Sequence, residues 1–279
     1  MEIALEKTSE KVSQKSKKGG ENICQKISRL LRDGISIILF IIIWEIAPRV
    51  GWVPQTFISP PTVVLSTLWD LILSGILIKH IEVSMFRALL GFILAAVLGI
   101  PLGFFLGGGF RLFERIMTPL LRLLAEVNPF SLFPVFILLF GIGEISKVSM
   151  IFWVCLWPIL LNTITGVKNV DELLIKSARS MGVSGQEMFL KVVMPAASPG
   201  IFHGLKTSCN TAFFMLIAAE MIGASSGLGW LVFNAQNNYQ IPKLFATTVT
   251  ISVLGLSLNY LFTKLEHKAI SWKESTPEY

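Results

Sequence analysis

The 279-residue chain is 53% hydrophobic and only 15% charged, with a mean hydropathy of +0.66, whereas an ordinary soluble domain carries about a quarter charged residues. A water-soluble fold of this size has nowhere to hide so much hydrocarbon, twenty Phe and seven Trp included, so the composition describes an integral membrane protein. The net charge of +6 does not argue for nucleic acid, because in a membrane protein the placement of charge matters more than its sum. Cys24, Cys155 and Cys209 lie far apart without CxxC or Cys/His spacing, which argues against a disulfide framework or a zinc site.

Residues 1–22 mix Lys, Glu, Ser and Gly without apolar periodicity, the composition of a disordered tail. They are polar for too long to be a secretory signal. Ile23, Ile27, Leu30 and Leu31 then recur at helical spacing among Lys26, Arg29 and Arg32. That pattern suits either a helix lying on the inner leaflet or an extension of the first span. The first span itself centres on Ser36–Ala47.

A helix needs about 20 mostly apolar residues to cross ~30 Å of hydrocarbon. Charge-free runs at Ala88–Phe110, Val127–Gly143, Val148–Gly166 and Leu244–Thr263 meet that need, and Gly200–Ile222 does so with Lys206 and Glu220 near its ends. Pro61–Ile78 is also apolar but contains Asp70 and Gly75 and opens with Ser59-Pro60-Pro61, which suits an interfacial helix starting at a proline. The distribution of Lys and Arg decides the count. With six spans the N-terminal tail (eight), the 111–122 segment (three), the 168–191 segment (four) and the C-terminal tail (three) share one side, eighteen of the 24 basic residues. A seventh span would erase that bias. The positive-inside rule therefore predicts six spans with both termini cytoplasmic.

Between the fourth and fifth spans, residues 169–195 read as a helix, a glycine turn and a second helix. Asn169 with Glu172 forms a capping-box pattern, and Gly182 supplies the stop after Met181. Ser184 with Glu187 starts a shorter helix that is expected to end at Pro195. Leu173, Leu174, Ala178, Met181, Met188 and Phe189 form its apolar set. An apolar cytoplasmic hairpin either binds a protein partner or packs on the underside of the bundle.

This segment resembles the coupling loop of bacterial ABC-importer permeases, whose pattern is E-A-A, three residues, G, nine residues, I-x-L-P. Lys176-Ser177-Ala178 occupies the first three places, Gly182 the glycine, and Val192-Val193-Met194-Pro195 the closing register. Lys176 and Ser177 depart from the pattern. Ser84-Met85-Phe86-Arg87 with Gly91-Phe92, Asn128-Pro129, Phe140-Gly141-Ile142-Gly143-Glu144 with Lys147, and Glu220 before Gly227-Leu228-Gly229 extend the likeness to the nitrate/sulfonate/taurine branch, over roughly residues 35–265.

The resemblance implies an all-α polytopic membrane protein with six transmembrane helices, the type I importer permease fold and a helix-turn-helix coupling loop on the cytoplasmic side. It implies a multi-pass location in the bacterial cell membrane, a cytoplasmic ATP-binding subunit, an extracytoplasmic solute-binding protein and a second permease copy. The solute expected is a small anion such as a sulfonate, taurine or nitrate. The chain has no GxxxxGK[ST] phosphate loop, so ATP hydrolysis is expected on a separate subunit, with no cofactor or metal here. The expected divisions are a cytoplasmic tail (1–34), the first span with an extracytoplasmic amphipathic helix (35–79), the permease domain (80–264, coupling loop 169–195) and a cytoplasmic tail (265–279).

Several residues are candidates for particular roles. Leu174, Lys176, Ser177, Ala178, Met181, Gly182 and Pro195 would make up the ATPase-coupling loop. Gly91, Ala95, Gly99, Gly103 and Gly107 recur every four residues and form a helix-packing ridge. Arg87, ionisable at membrane depth, faces the solute pathway or anchors its helix at an interface. Glu220 holds an outer gate or supports the structure. Asn128 lines a cavity where its span is broken, or marks a proline kink. Neither clustered catalytic side chains nor exposed aromatics among the basic residues point to an enzyme or a nucleic-acid binder. The rival reading is an ion-coupled secondary transporter, which would show inverted repeats and broken helices in both halves.

Overall fold

The computed structural model describes residues 35–108 and 111–269, and every regular element among them is helical. The expected interfacial helix and tail at 1–34, and the C-terminal tail beyond 269, lie outside the described residues. The chain divides into two compact units, residues 1–66 and 67–279.

The described part of the first unit is a helix over residues 35–50 (α1), a turn, and the start of α2 (Pro61–Leu73). Trp44 Nε1 donates to the Ser59 carbonyl at 3.1 Å. Glu45 bonds the Arg49 guanidinium at 2.6 Å and accepts from the backbone N–H of Thr62 at 3.1 Å and its hydroxyl at 2.8 Å. A carboxylate thus serves the otherwise unpaired N–H groups at the start of α2, where the helix dipole favours negative charge. Pro61 opens α2 as the sequence predicts. The helix ends before Ser74-Gly75, and its 13 residues span only about 20 Å, too short to cross a bilayer.

In the second unit α3 (Ile76–Gly108), α6 (Glu144–Lys168), the continuous stretch Gly185–Gly223 and α11 (Ile241–Ala269) are long and apolar enough to cross a membrane. Helices α4 (Arg111–Ala125) and α5 (Pro129–Phe140) meet at a 90° bend and amount to a fifth span if counted together. The break expected at Asn128-Pro129 falls at this bend, and α5 fills most of the Val127–Gly143 run. Asn128 accepts from Phe130 N at 2.9 Å and so caps α5, while Pro129 keeps the preceding residue out of helical geometry. The basic stretch 111–122, expected as a loop, is helical. Helix α3 begins twelve residues ahead of the charge-free run and takes in Lys79, Glu82 and Arg87, the last of them buried and neutralised within the fold.

Helices α3 and α6 pack along most of their length, and α9 (Met194–Gly223) lies against α6. Ala88, Ala95, Ile151, Cys155, Ile159, Ala212 and Leu216 are buried where the three meet. Lipid is as apolar as leucine, so close backbone approach rather than the hydrophobic effect drives this contact. A Cβ on Gly103 would lie 2.5 Å from Thr163 Cβ, and one on Gly91 would lie 2.7 Å from Ile151 Cγ2. The glycine ridge of α3 thus meets a row of residues spaced four apart on α6. A second seam, which the sequence reading does not contain, joins α6 to α9: a Cβ on Gly200 would lie 2.8 Å from Gly166 Cα, and one on Gly204 would lie 2.9 Å from Pro158 O. A short helix, α10 (Leu228–Asn237), follows α9 and was not anticipated either.

Between α6 and α9 stands the hairpin. Asn169 ends α6 rather than starting the next helix. Asp171 caps α7 (Glu172–Ser180), accepting from Leu173 N at 2.8 Å. The turn falls where the sequence puts it: Gly182 has φ +82°, and Val183 N reaches back to Ala178 O at 3.0 Å. Ser184 occupies the next cap position without a side-chain bond, and Glu187 instead pairs with Lys191 at 2.9 Å. Pro195 was expected to end the second helix. Instead α8 (Gly185–Met188) passes through a π-helical turn, Phe189–Val193, into α9, with Pro195 in the first turn of α9. The wider turn shifts Met194 N to Phe189 O, so the chain absorbs a proline that lacks the donor an α-helix needs.

Candidate functional site

His80, Ser84 and Arg87 follow one another at helical spacing near the start of α3, so they share a face. Opposite them stand the first turn of α6, with Glu144 and Lys147, and the junction of α9 and α10, with Glu220, Ser226 and Gly227. Glu144 begins α6 directly after Gly143, a favourable place for a negative charge. Glu220 ends α9 fully buried, and its Oε2 accepts from Gly229 N at 2.9 Å in the first turn of α10.

Arg87 lies at the centre and is 1% exposed. Its Nη1 donates to Glu220 Oε1 at 2.7 Å and to the Ser226 carbonyl at 2.7 Å. Its Nη2 donates to Glu144 Oε1 at 2.6 Å and to Ser226 Oγ at 3.3 Å. The Nε donates to Glu144 Oε2, which completes a bidentate pair. All five donors of the guanidinium are thus used within the chain. Ser84 Oγ lies 2.8 Å from both carboxylate oxygens of Glu220 and accepts from Leu228 N at 2.8 Å. His80 Nδ1 accepts from Gly227 N at 2.9 Å while the ring stacks on Trp230, which leaves the proton of the neutral ring on Nε2. Lys147, 3% exposed, donates to the Gly143 carbonyl at 3.1 Å and lies 3.8 Å from Glu144. Two cations and two carboxylates balance, and the network ties α3, α6, α9 and α10 together.

Helices α6 and α9 carry this network at one end and the hairpin at the other. The hairpin is seated by buried Ala178 and by Ile175 and Val193, which pack on Val167, Val170, Ala197 and Ile201. Leu173, Leu174 and Met181 remain 68%, 52% and 75% exposed. Lys176 is exposed beside them and pairs with Glu172 at 3.3 Å, and Ser177 is exposed as well.

Arg87 and Glu220, singled out separately in the sequence, are in direct contact. Asn128 stands apart at the α4–α5 bend, its side chain engaged in capping. Sequence reasoning missed Ser84, His80, Glu144, Lys147 and Ser226 as members of one cluster. The available signal was charge balance, since Arg87, Glu144, Lys147 and Glu220 all fall near span ends on the same side. Three of the segments that carry the family resemblance (Ser84–Arg87, Gly141–Lys147 and Glu220–Gly229) converge on this cluster.

Residues 99–271 match the family described as the binding-protein-dependent transport system inner membrane component. The chain belongs to this family. These permeases include the aliphatic sulfonates transport permease protein SsuC of Bacillus subtilis, 35% identical over 85% of this chain and 86% of its own length. The taurine transport system permease protein TauC of Escherichia coli is 28% identical over 86% of this chain and 88% of its own. Among solved structures, an inward facing conformation of the MetNI methionine ABC transporter matches with a TM-score of 0.62 at 16% identity, over 71% of this chain and 97% of that one. The last likeness concerns the fold. The chain is thus an all-helical, membrane-embedded transport permease of the ABC importer family.

Proposed function

We propose that this permease carries a small anion such as a sulfonate, taurine or nitrate into the cell as the membrane subunit of an ATP-driven complex. A separate ATP-binding subunit docks on Leu173, Leu174 and Met181 of the hairpin, which faces the cytoplasm with both termini. A solute-binding protein delivers the solute at the opposite face, and two permease copies enclose the pathway. The Arg87–Glu144–Glu220 network acts at that outer face as a latch, holding the ends of α3, α6, α9 and α10 in one arrangement until ATP binding moves the hairpin. With every donor of Arg87 engaged inside the chain, a latch suits the residue better than direct solute binding.

One observation carries the reading. Three large apolar side chains are exposed on a hairpin continuous with the two helices whose far ends bear the charge network. Such a patch at a membrane surface suits a protein partner, and rigid helices transmit its displacement. The test is co-isolation. The wild-type chain purified in mild detergent is expected to bring down an ATPase with a phosphate loop at equal stoichiometry. Leu174→Glu with Met181→Glu is expected to insert normally and lose that subunit. A folded chain that never brings down an ATPase would instead favour the ion-coupled secondary transporter.

A further inference from the structure

At the junction of α9 and α10, three successive backbone N–H groups are held by three different side chains. N–H groups at the start of a helix have no partner within it. Gly229 N donates to Glu220 Oε2 at 2.9 Å, Leu228 N to Ser84 Oγ at 2.8 Å and Gly227 N to His80 Nδ1 at 2.9 Å. Gly227 has φ +118°, and a Cβ there would enter the Glu220 carboxylate. The junction is therefore pressed against the carboxylate that Arg87 holds. The His80 ring is stacked on Trp230, with centroids 5.3 Å apart and planes 23° from parallel. That stack fixes the ring plane and keeps Nδ1 aimed at Gly227.

Of these three acceptors the imidazole is the one whose ordinary charge change falls between pH 5 and 8. A second proton on the ring turns Nδ1 from an acceptor into a donor, and it then opposes the N–H that it now holds. The charges that act on the ring are Lys79 and Arg87 on α3 and Lys243 on α11, all positive. On the other packed elements, Glu220 of α9 and Glu144 of α6 pair with Arg87, and Lys147 of α6 lies beside Glu144. Helix α10 carries no charged residue. Glu82 is exposed, and two residues along a helix it does not share the His80 face. Protonation therefore removes an acceptor, adds like charge to a cationic neighbourhood and sets it against the positive end of α10.

We infer that His80 is a proton-responsive positioning residue of the latch: neutral, it pins Gly227 and the first turn of α10 to α3, and protonated, it releases them. The inference rests on the latch reading and adds to it a control by the pH of the face on which the latch lies. The hold is present above the ordinary imidazole value of about 6.5 and is lost as the pH falls through it. Ser84 and Glu220 keep their own N–H groups, so release loosens the junction without unfolding the bundle.

Hydrogen exchange read by mass spectrometry on the full chain in lipid nanodiscs tests the device at pH 7.5 and 5.5, with rates corrected for intrinsic exchange. Protection over residues 224–231 is expected to fall about two- to tenfold at the lower pH, the loss that follows from one hydrogen bond, while α6 is unchanged. His80→Asn keeps an acceptor that does not titrate and should stay protected at both values. His80→Phe keeps a ring on Trp230 without the acceptor and should be poorly protected at both. Should one variant fail to fold, the other still has to lose the pH response. Flat protection in the wild type, or a response that survives in either folded variant, would overturn the proposal and show that His80 only packs. The measurement needs the permease alone, so copurification without an ATPase would defeat the importer reading and leave this result readable.

Discussion

Arg87 interrupts an apolar run, and a lone guanidinium at that depth would be costly. The fold surrounds it with two carboxylates, a hydroxyl and a carbonyl, so the cost falls on whichever partner is removed. Arg87→Met leaves Glu220 buried without its cation and should destabilise the protein by about 3–5 kcal/mol. Glu220→Gln keeps the shape and should cost less, about 1.5–3 kcal/mol. Arg87→Met combined with Glu220→Gln should cost less than the sum of the two single changes, because neither charge then remains alone. Unfolding of the four proteins in detergent reads all three values, and strict additivity would show that the two residues act independently. The sequence marks Arg87 and Glu220 as unusual but cannot pair residues 133 positions apart. Glu144 is harder to see, because at the first turn of a span an acidic residue already has a sufficient reason to be there.

At the scale of elements, close approach makes testable demands on glycine. A Cβ on Gly103 would enter Thr163, whereas one on Gly108 would stop 3.8 Å from Val167 Cγ1. Gly103→Ala should therefore lower the melting temperature, at about 1–3 kcal/mol for an overpacked contact. Gly108→Ala should be neutral or gain up to about 1 kcal/mol from helix propensity. Equal effects at the two positions would remove the ridge from the account. In the hairpin, Gly182→Ala places a side chain at φ +82°, which costs about 1–2 kcal/mol in the left-handed region. Local hydrogen exchange at Val183 should rise accordingly, with the bundle unaffected. Apolar runs made the long helices legible, as did the glycine that turns the hairpin. Their ends were less so. Asp171 out-competed Asn169 as a cap because α6 kept Asn169, and the π-helical turn before Pro195 leaves no mark in periodicity. The 90° bend between α4 and α5 was visible only as Asn128-Pro129.

For the whole molecule, the skewed distribution of Lys and Arg predicts which face is which. In a cysteine-free background, a membrane-impermeant maleimide added to intact cells should label Ile142→Cys, at the exposed network end, and spare Met181→Cys until the membrane is opened. The reverse pattern would invert the orientation and remove the ATPase from the hairpin. The six-span expectation came from that charge bias. Among the described residues four helices are span-length, and a bent pair makes a fifth. What the sequence could not convey is that network and hairpin occupy opposite ends of the same two helices, since that depends on the antiparallel run of α6 and α9. The most direct measurement is ATP hydrolysis by the complex in proteoliposomes, with and without solute-loaded binding protein. The account predicts several-fold stimulation for the wild type, and loss of the response in Leu174→Glu with Met181→Glu. Solute entry that proceeds without ATP hydrolysis, or stimulation that survives those two charges, would contradict it.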